Sequence, residues 1–81
     1  MTIFGKRILE LKEELGLSYA QMGRICGIDQ RNFSAWTKKY KMPNADMVIK
    51  IAKGLNVSAD WLLGLSNDRR RRGESDGQLG R

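Results

Sequence analysis

Histidine is absent from this 81-residue chain, cysteine and proline occur once each, and aromatic residues make up 7% of it. Each shortage excludes something. There is no histidine, no phosphate-cradling glycine loop, and no Ser or Cys beside a suitable base, so no enzyme is expected. A lone cysteine, Cys26, cannot build a disulfide framework, and no Cys-x-x-Cys or Cys/His set offers metal ligands; neither metal nor cofactor is expected. No run has the length and apolarity of a membrane span and no signal-peptide pattern is present. The cytoplasm is therefore the expected compartment, with no membrane partner. Acids are scarce too, 9 against 15 Lys and Arg, for a formal charge of +6 and a pI near 9.9.

The positive excess is spread along the chain. Residues 1–65 hold ten basic against six acidic side chains, and residues 66–81 hold five against three. An anionic partner follows, nucleic acid being the commonest, although a merely soluble basic protein would carry the same charge. With 41% hydrophobic residues the chain can fill one small helical core, near the lower size limit for folding without disulfides or metal.

The chain is organised around Ser18–Trp36, SYAQMGRICGIDQRNFSAW. Ser18 caps a helix and Gln21 stands three residues on, as in a capping box. Leu17 and Met22 flank that cap as a hydrophobic staple, and Ile28, Asp29 and Phe33 repeat the device. Gly27 supplies the positive φ that ends the first helix, and Gly23, one turn earlier, leaves room for two helices to cross closely. Met22, Cys26, Ile28, Phe33 and Trp36 fall inside the angle, which makes Cys26 a buried structural thiol. Gln30, Arg31, Ser34, Ala35 and Lys38 face outward. This is the layout of a DNA-binding helix-turn-helix.

Around it the periodicity predicts three further helices. Phe4, Ile8, Leu11 and Leu15 form the stripe of a helix over residues 2–15 ended by Gly16. After the second of the central helices, Lys38, Lys39 and Lys41 with the interleaved Tyr40 read as phosphate contacts. Pro43 and the cap Asn44 then open a helix with Val48, Ile51, Ala52 and Leu55 inward, in which Gly54 is a local weakness. Val57 and Ser58 staple and cap a short last helix that Gly64 stops. Trp61, Leu62, Leu63 and Leu65 are many large apolar residues for one short helix, so Trp61, Leu62 and Leu65 are expected to serve a homodimer contact. Residues 66–81, with Arg69–Arg72, are polar and glycine-rich and are expected to be a disordered basic tail or linker.

Taken together, Gly16-Leu17-Ser18, Met22-Gly23, Gly27-Ile28, Phe33-Ser34-Ala35-Trp36, Pro43, Ile51-Ala52, Leu55, Val57-Ser58 and Trp61-Leu62-Leu63 resemble the lambda-repressor-like helix-turn-helix family, the Cro and Xre type. The resemblance covers residues 3–65, with its spacing kept across five helices. It implies an all-α, compact five-helix domain over residues 1–65 with the helix-turn-helix at helices 2 and 3. It also implies a bacterial or phage transcription regulator, dimeric on a two-fold double-stranded operator. Base-reading positions become Gln30, Arg31 and Ala35. DNA-backbone contacts fall to Ser18 and Tyr19 at the head of the second helix, to Asn32 and Ser34, and to the run Lys38, Lys39, Tyr40, Lys41 and Asn44. Tyr19 stands where the family commonly has glutamine, and its hydroxyl can donate to a phosphate. Thr37 and Lys39 replace the acid and glycine common after the tryptophan. Many members carry a second domain beyond the linker, and none is expected here.

The head of the third helix states the chemistry most sharply. Arg31 can donate twice to a guanine edge, Gln30 can donate and accept at adenine, and Ala35 can meet a thymine methyl. A reading from another class is a protein-interaction module, such as an antitoxin or repressor modulator, which would bind a second regulator or a toxin protein through the Trp61–Leu65 end. Long donors at Gln30 and Arg31 favour DNA.

Overall fold

Every helix starts on a side chain that accepts a hydrogen bond from its own first turn. In the computed structural model, which describes residues 1–71, Thr2 Oγ1 accepts from the Gly5 amide at 3.0 Å and opens α1, Ile3–Leu15. Ser18 opens α2, Tyr19–Cys26, with the full capping box: the Gln21 amide donates to Ser18 Oγ at 3.1 Å, and Gln21 Oε1 accepts from the Ser18 amide at 2.8 Å. Asp29 opens α3, Gln30–Lys38, Asn44 opens α4, Ala45–Leu55, and Ser58 opens the single turn α5, Ala59–Leu62. Each such cap is worth about 1 kcal/mol, which matters in helices this short.

The five helices enclose one core. Phe4, Ile8 and Leu11 from α1 meet Met22 and Cys26 from α2, Phe33 and Trp36 from α3, and Val48 and Ile51 from α4. Trp36 is the hub of its aromatic part: the Phe4 ring stands edge-on to it at 5.3 Å between centroids, and Phe33 does so at 5.2 Å. Edge-to-face pairs add to the area they bury. Leu15, expected inward, is about half exposed, at the last position of α1 before Gly16 turns the chain.

Three glycines set how closely the helices approach: a Cβ on Gly5 would collide with the Trp36 carbonyl oxygen, so α1 lies directly on α3. A Cβ on Gly23 would lie 2.6 Å from the Ile28 carbonyl oxygen, so α2 and the turn into α3 touch backbone to backbone. Gly54, read from sequence as a weakness, does not shorten α4. A Cβ there would meet Cys26 Sγ at 3.1 Å and the Ile25 carbonyl at 3.2 Å, so the missing side chain is what lets α4 lie on α2.

The other end of the fold corrects two expectations. Trp61 and Leu62 are 6% and 0% exposed, so they belong to the protomer's own core, and only Leu65, 76% exposed, is left over. The physical reason is a strap. Residues 66–71, expected to be disordered, turn back over α1 and α5. The Ser58 amide donates to the Arg69 carbonyl at 2.8 Å, and Val57 bridges Arg70 in antiparallel fashion. Arg69 pairs with Glu14 and lies over the Trp61 ring at 5.7 Å from its centroid. Arg7 lies over the same ring at 4.7 Å and donates to the carbonyls of Trp61 and Ser66 at 2.7 and 2.9 Å. Arg72 and the rest of the expected tail lie outside the described residues. Among the described residues no helix is long and apolar enough to cross a membrane.

Gly23→Ala separates helix propensity from packing. Propensity alone would stabilise α2 by about 1 kcal/mol. The collision with Ile28 instead predicts a net loss of about 1–3 kcal/mol, read as a lower midpoint in urea denaturation.

Candidate nucleic-acid interface

The α2–α3 pair is closed by Gly27, which caps α2 at φ 71° and ψ 36°, and by the Ile28 amide donating to the Gly23 carbonyl at 2.9 Å. With Ile28, Phe33 and Trp36 turned into the core, α3 shows solvent the opposite side. Gln30 and Arg31 are exposed there, and Asn32, Ser34 and Ala35 are half-buried. A shallow depression at the elbow is lined by Ala20, Gly23, Arg24, Asp29 and Gln30 among others.

Beyond α3 the basic run is fully displayed. Lys38, Lys39 and Lys41 are exposed, and Tyr40 is 82% exposed, far too open for a core residue. Lys39 closes α3 in an extended conformation, φ −131° and ψ 171°, where any side chain is unstrained. The glycine common at this point in the family is therefore not needed. Asn44 is exposed, but its Oδ1 is engaged by the Met47 amide at 2.9 Å. Ser18 is engaged likewise by its capping box.

Tyr19 is differently placed from its expected role. Its hydroxyl lies 2.7 Å from Thr37 Oγ1, and that oxygen is also 3.0 Å from the Phe33 carbonyl, an acceptor only. The single Thr37 proton goes to the carbonyl, so the Tyr19 hydroxyl donates to Thr37. Its ring is half-buried, with Lys12 5.0 Å from its centroid. The proton that was to meet a phosphate thus ties the head of α2 to the tail of α3. Buried Thr37, the residue that replaces the family's acid, is the other half of this tie.

At the head of α3, Asp29 is more than the cap that the sequence pattern predicts. Its Oδ1 does accept from the Arg31 amide at 2.9 Å, and its carboxylate also pairs with the Arg31 guanidinium at 2.8 Å. Hydrogen bonds from the Arg31 side chain and amide hold the Asp29 carboxyl down to about 2. The pair is consequently fully ionised at neutral pH. A carboxylate two positions before an arginine at a helix start was the available signal. Burial drives the Cys26 thiol the other way, up to about 11, as for an unreactive structural cysteine.

Residues 5–67 match the model of a family described as Helix-turn-helix domain. The chain belongs to this helix-turn-helix family, of the Cro/C1 or Xre type. It is 32% identical over 60 residues to the HTH-type transcriptional regulator ImmR of Bacillus subtilis, covering 74% of this chain and 47% of that one. To the Repressor protein C2 of Salmonella phage P22 it is 28% identical over 61 residues, covering 75% of this chain and 28% of that one. The chain thus spans half or less of the length of these two relatives. Among solved structures it resembles the P22 c2 repressor crystallised with a synthetic operator, at a TM-score of 0.72 and 26% identity, over 82% of this chain and 100% of that one. The five-helix all-α architecture is that of the family.

Tyr19→Phe follows from the tie just described. It removes one hydrogen bond and leaves Thr37 with its carbonyl partners alone, so stability falls by about 0.5–1.5 kcal/mol in chemical denaturation.

Proposed function

We propose that this chain is a cytoplasmic, sequence-specific double-stranded-DNA-binding regulator of the repressor or Cro kind, with α3 in the major groove. The observation that carries the reading is the face of α3. Gln30 and Arg31 stand exposed on its first turn, and Lys38, Lys39 and Lys41 stand exposed at its other end. Donors for base edges and charges for phosphates therefore share one side of a helix held out by the core. The P22 c2 repressor, solved with its operator, has the same fold, which supports the same use here. On this reading Gln30, Arg31 and Ala35 face bases. Ser18, Asn32, Ser34, Lys38, Lys39, Tyr40, Lys41 and Asn44 flank the backbone, and Tyr19 supports the head of α2 from behind.

A homodimer on a two-fold operator is part of the proposal, with recognition helices roughly 34 Å apart. Burial of Trp61 and Leu62 reduces the expected contact to Leu65. The apolar residues Met1 and Ile3 are also 50% and 41% exposed at the start of α1, where Ile3 packs beside Gly64. The same burial weakens the protein-interaction alternative, since a toxin or second regulator loses Trp61, the largest side chain it was to grip, and Leu62 beside it.

Salt dependence tests the reading. Affinity for a duplex should fall by about 0.9 log units per log unit of salt for each phosphate neutralised. Lys39→Ala and Lys41→Ala should weaken all duplexes alike and flatten that slope. A slope near zero in the unaltered protein contradicts the phosphate surface. Sedimentation of the saturated complex should then find two chains per operator; one chain per site contradicts the dimer.

A further inference from the structure

The Arg31 guanidinium is held along one edge only. Its Nε donates to Asp29 Oδ1 at 3.2 Å and to Oδ2 at 3.3 Å, and its Nη2 donates to Oδ2 at 2.8 Å. The same Oδ1 caps the helix by accepting from the Arg31 amide. One carboxylate therefore fixes both the backbone of the first turn and the side chain that leaves it. A guanidinium has a second pair of parallel donors, on its end edge, formed by Nη1–H and the outer Nη2–H. In Arg31 that edge meets no other acceptor among the described residues, and the side chain is 87% exposed.

We propose that Asp29 is a positioning residue for base readout: it holds the side edge of Arg31 so that the end edge is presented to the N7 and O6 of a guanine. The proposal rests on the reading of α3 as the recognition helix. Its physical content is preorganisation. A free arginine must give up rotamer freedom when it binds, whereas an arginine already clamped to the cap gives up little. The clamp also adds selectivity by geometry. A guanidinium free to swing would reach a neighbouring acceptor or a phosphate, and a held one presents two donors in one direction.

Charge supplies a distinguishing sign. Asp29 is an anion beside a polyanion, so deleting it should leave non-specific binding unchanged or stronger. A loss of base preference at the same time cannot come from electrostatics. The experiment uses the full chain and its variants Asp29→Asn, Asp29→Ser and Arg31→Ala. Asn and Ser both cap helices as well as Asp does, so either variant carries the test if the other fails to fold. Each protein is titrated with the duplex site selected from random sequence, varied through all four base pairs at every position. Arg31→Ala should abolish preference at one base pair of each half-site. Asp29→Asn and Asp29→Ser should reduce preference at that same base pair by about tenfold, with affinity for unrelated duplex not reduced.

If both Asp29 variants keep the preference of the unaltered protein, Asp29 is a cap alone and the proposal is overturned while the reading of α3 stands. Loss of affinity for every duplex in equal measure, with preference kept, overturns it in the same way. If Arg31→Ala changes no preference at any position, Arg31 reads no base and the reading beneath the proposal falls with it.

Discussion

The approach of α2 to the turn before α3 is the constraint from which the outer surface follows. Gly23 has no side chain because the Ile28 carbonyl occupies that space, and Gly27 reverses the chain in the left-handed conformation that glycine adopts without strain. The crossing brings Ile28, Phe33 and Trp36 into the core, where Trp36 meets the Phe4 ring of α1 edge to face. Once Phe33 and Trp36 are inward, helical geometry puts Arg31 and Ala35 on the other side, and Gln30, three residues before Phe33, is exposed because it stands at the open first turn. Tyr19 and Thr37 fasten the two helices again at their far ends. The α3 face is thus set by contacts that none of its own outward residues makes.

Charge is divided along the same line. Arg7 and Arg69 are drawn into the fold, Arg7 donating to two carbonyls and Arg69 pairing with Glu14, while exposed Arg70 is paired locally with Asp68. Lys38, Lys39 and Lys41 make no ion pair among the described residues. Part of the basic charge is therefore neutralised locally near residue 70, and the run after α3 keeps its own. The basic tail near residue 70 closes the domain, and the basic run after α3 remains free to meet an anion. Such a concentrated patch beside directional donors suits steering first and discrimination second.

Most of the fold was legible in the sequence because its devices are local. A cap and the amide that donates to it lie three residues apart at Ser18, Asn44 and Ser58, and the three staples span five, so they can be read without knowing the tertiary structure. What could not be read depends on residues far apart. Arg69 and Glu14 are 55 positions apart, Tyr19 and Thr37 are 18 apart, and Gly54 meets Cys26 only once α4 lies on α2. The surplus assigned to Trp61 failed for a related reason: counting apolar side chains does not show which of them the strap and Arg7 will cover. In the candidate site the exposure of Arg31 was legible from helical period, and that of Gln30 from its place in the first turn beside the cap. The tie from Asp29 to Arg31 is also local, but a capping carboxylate has a second oxygen whose partner depends on the rotamer of Arg31, which spacing alone does not fix.

The central claim is that the outward side of α3, with the loop after it, is where this chain meets DNA. Amide chemical shifts recorded while the protein is titrated with its selected duplex test this residue by residue. The account predicts that the largest changes fall on residues 18–22 and 29–41, with Gln30, Arg31 and the Lys38–Lys41 run foremost and residues 66–71 nearly unmoved. Changes concentrated instead on α5 and the strap, with the head of α3 silent, would contradict it.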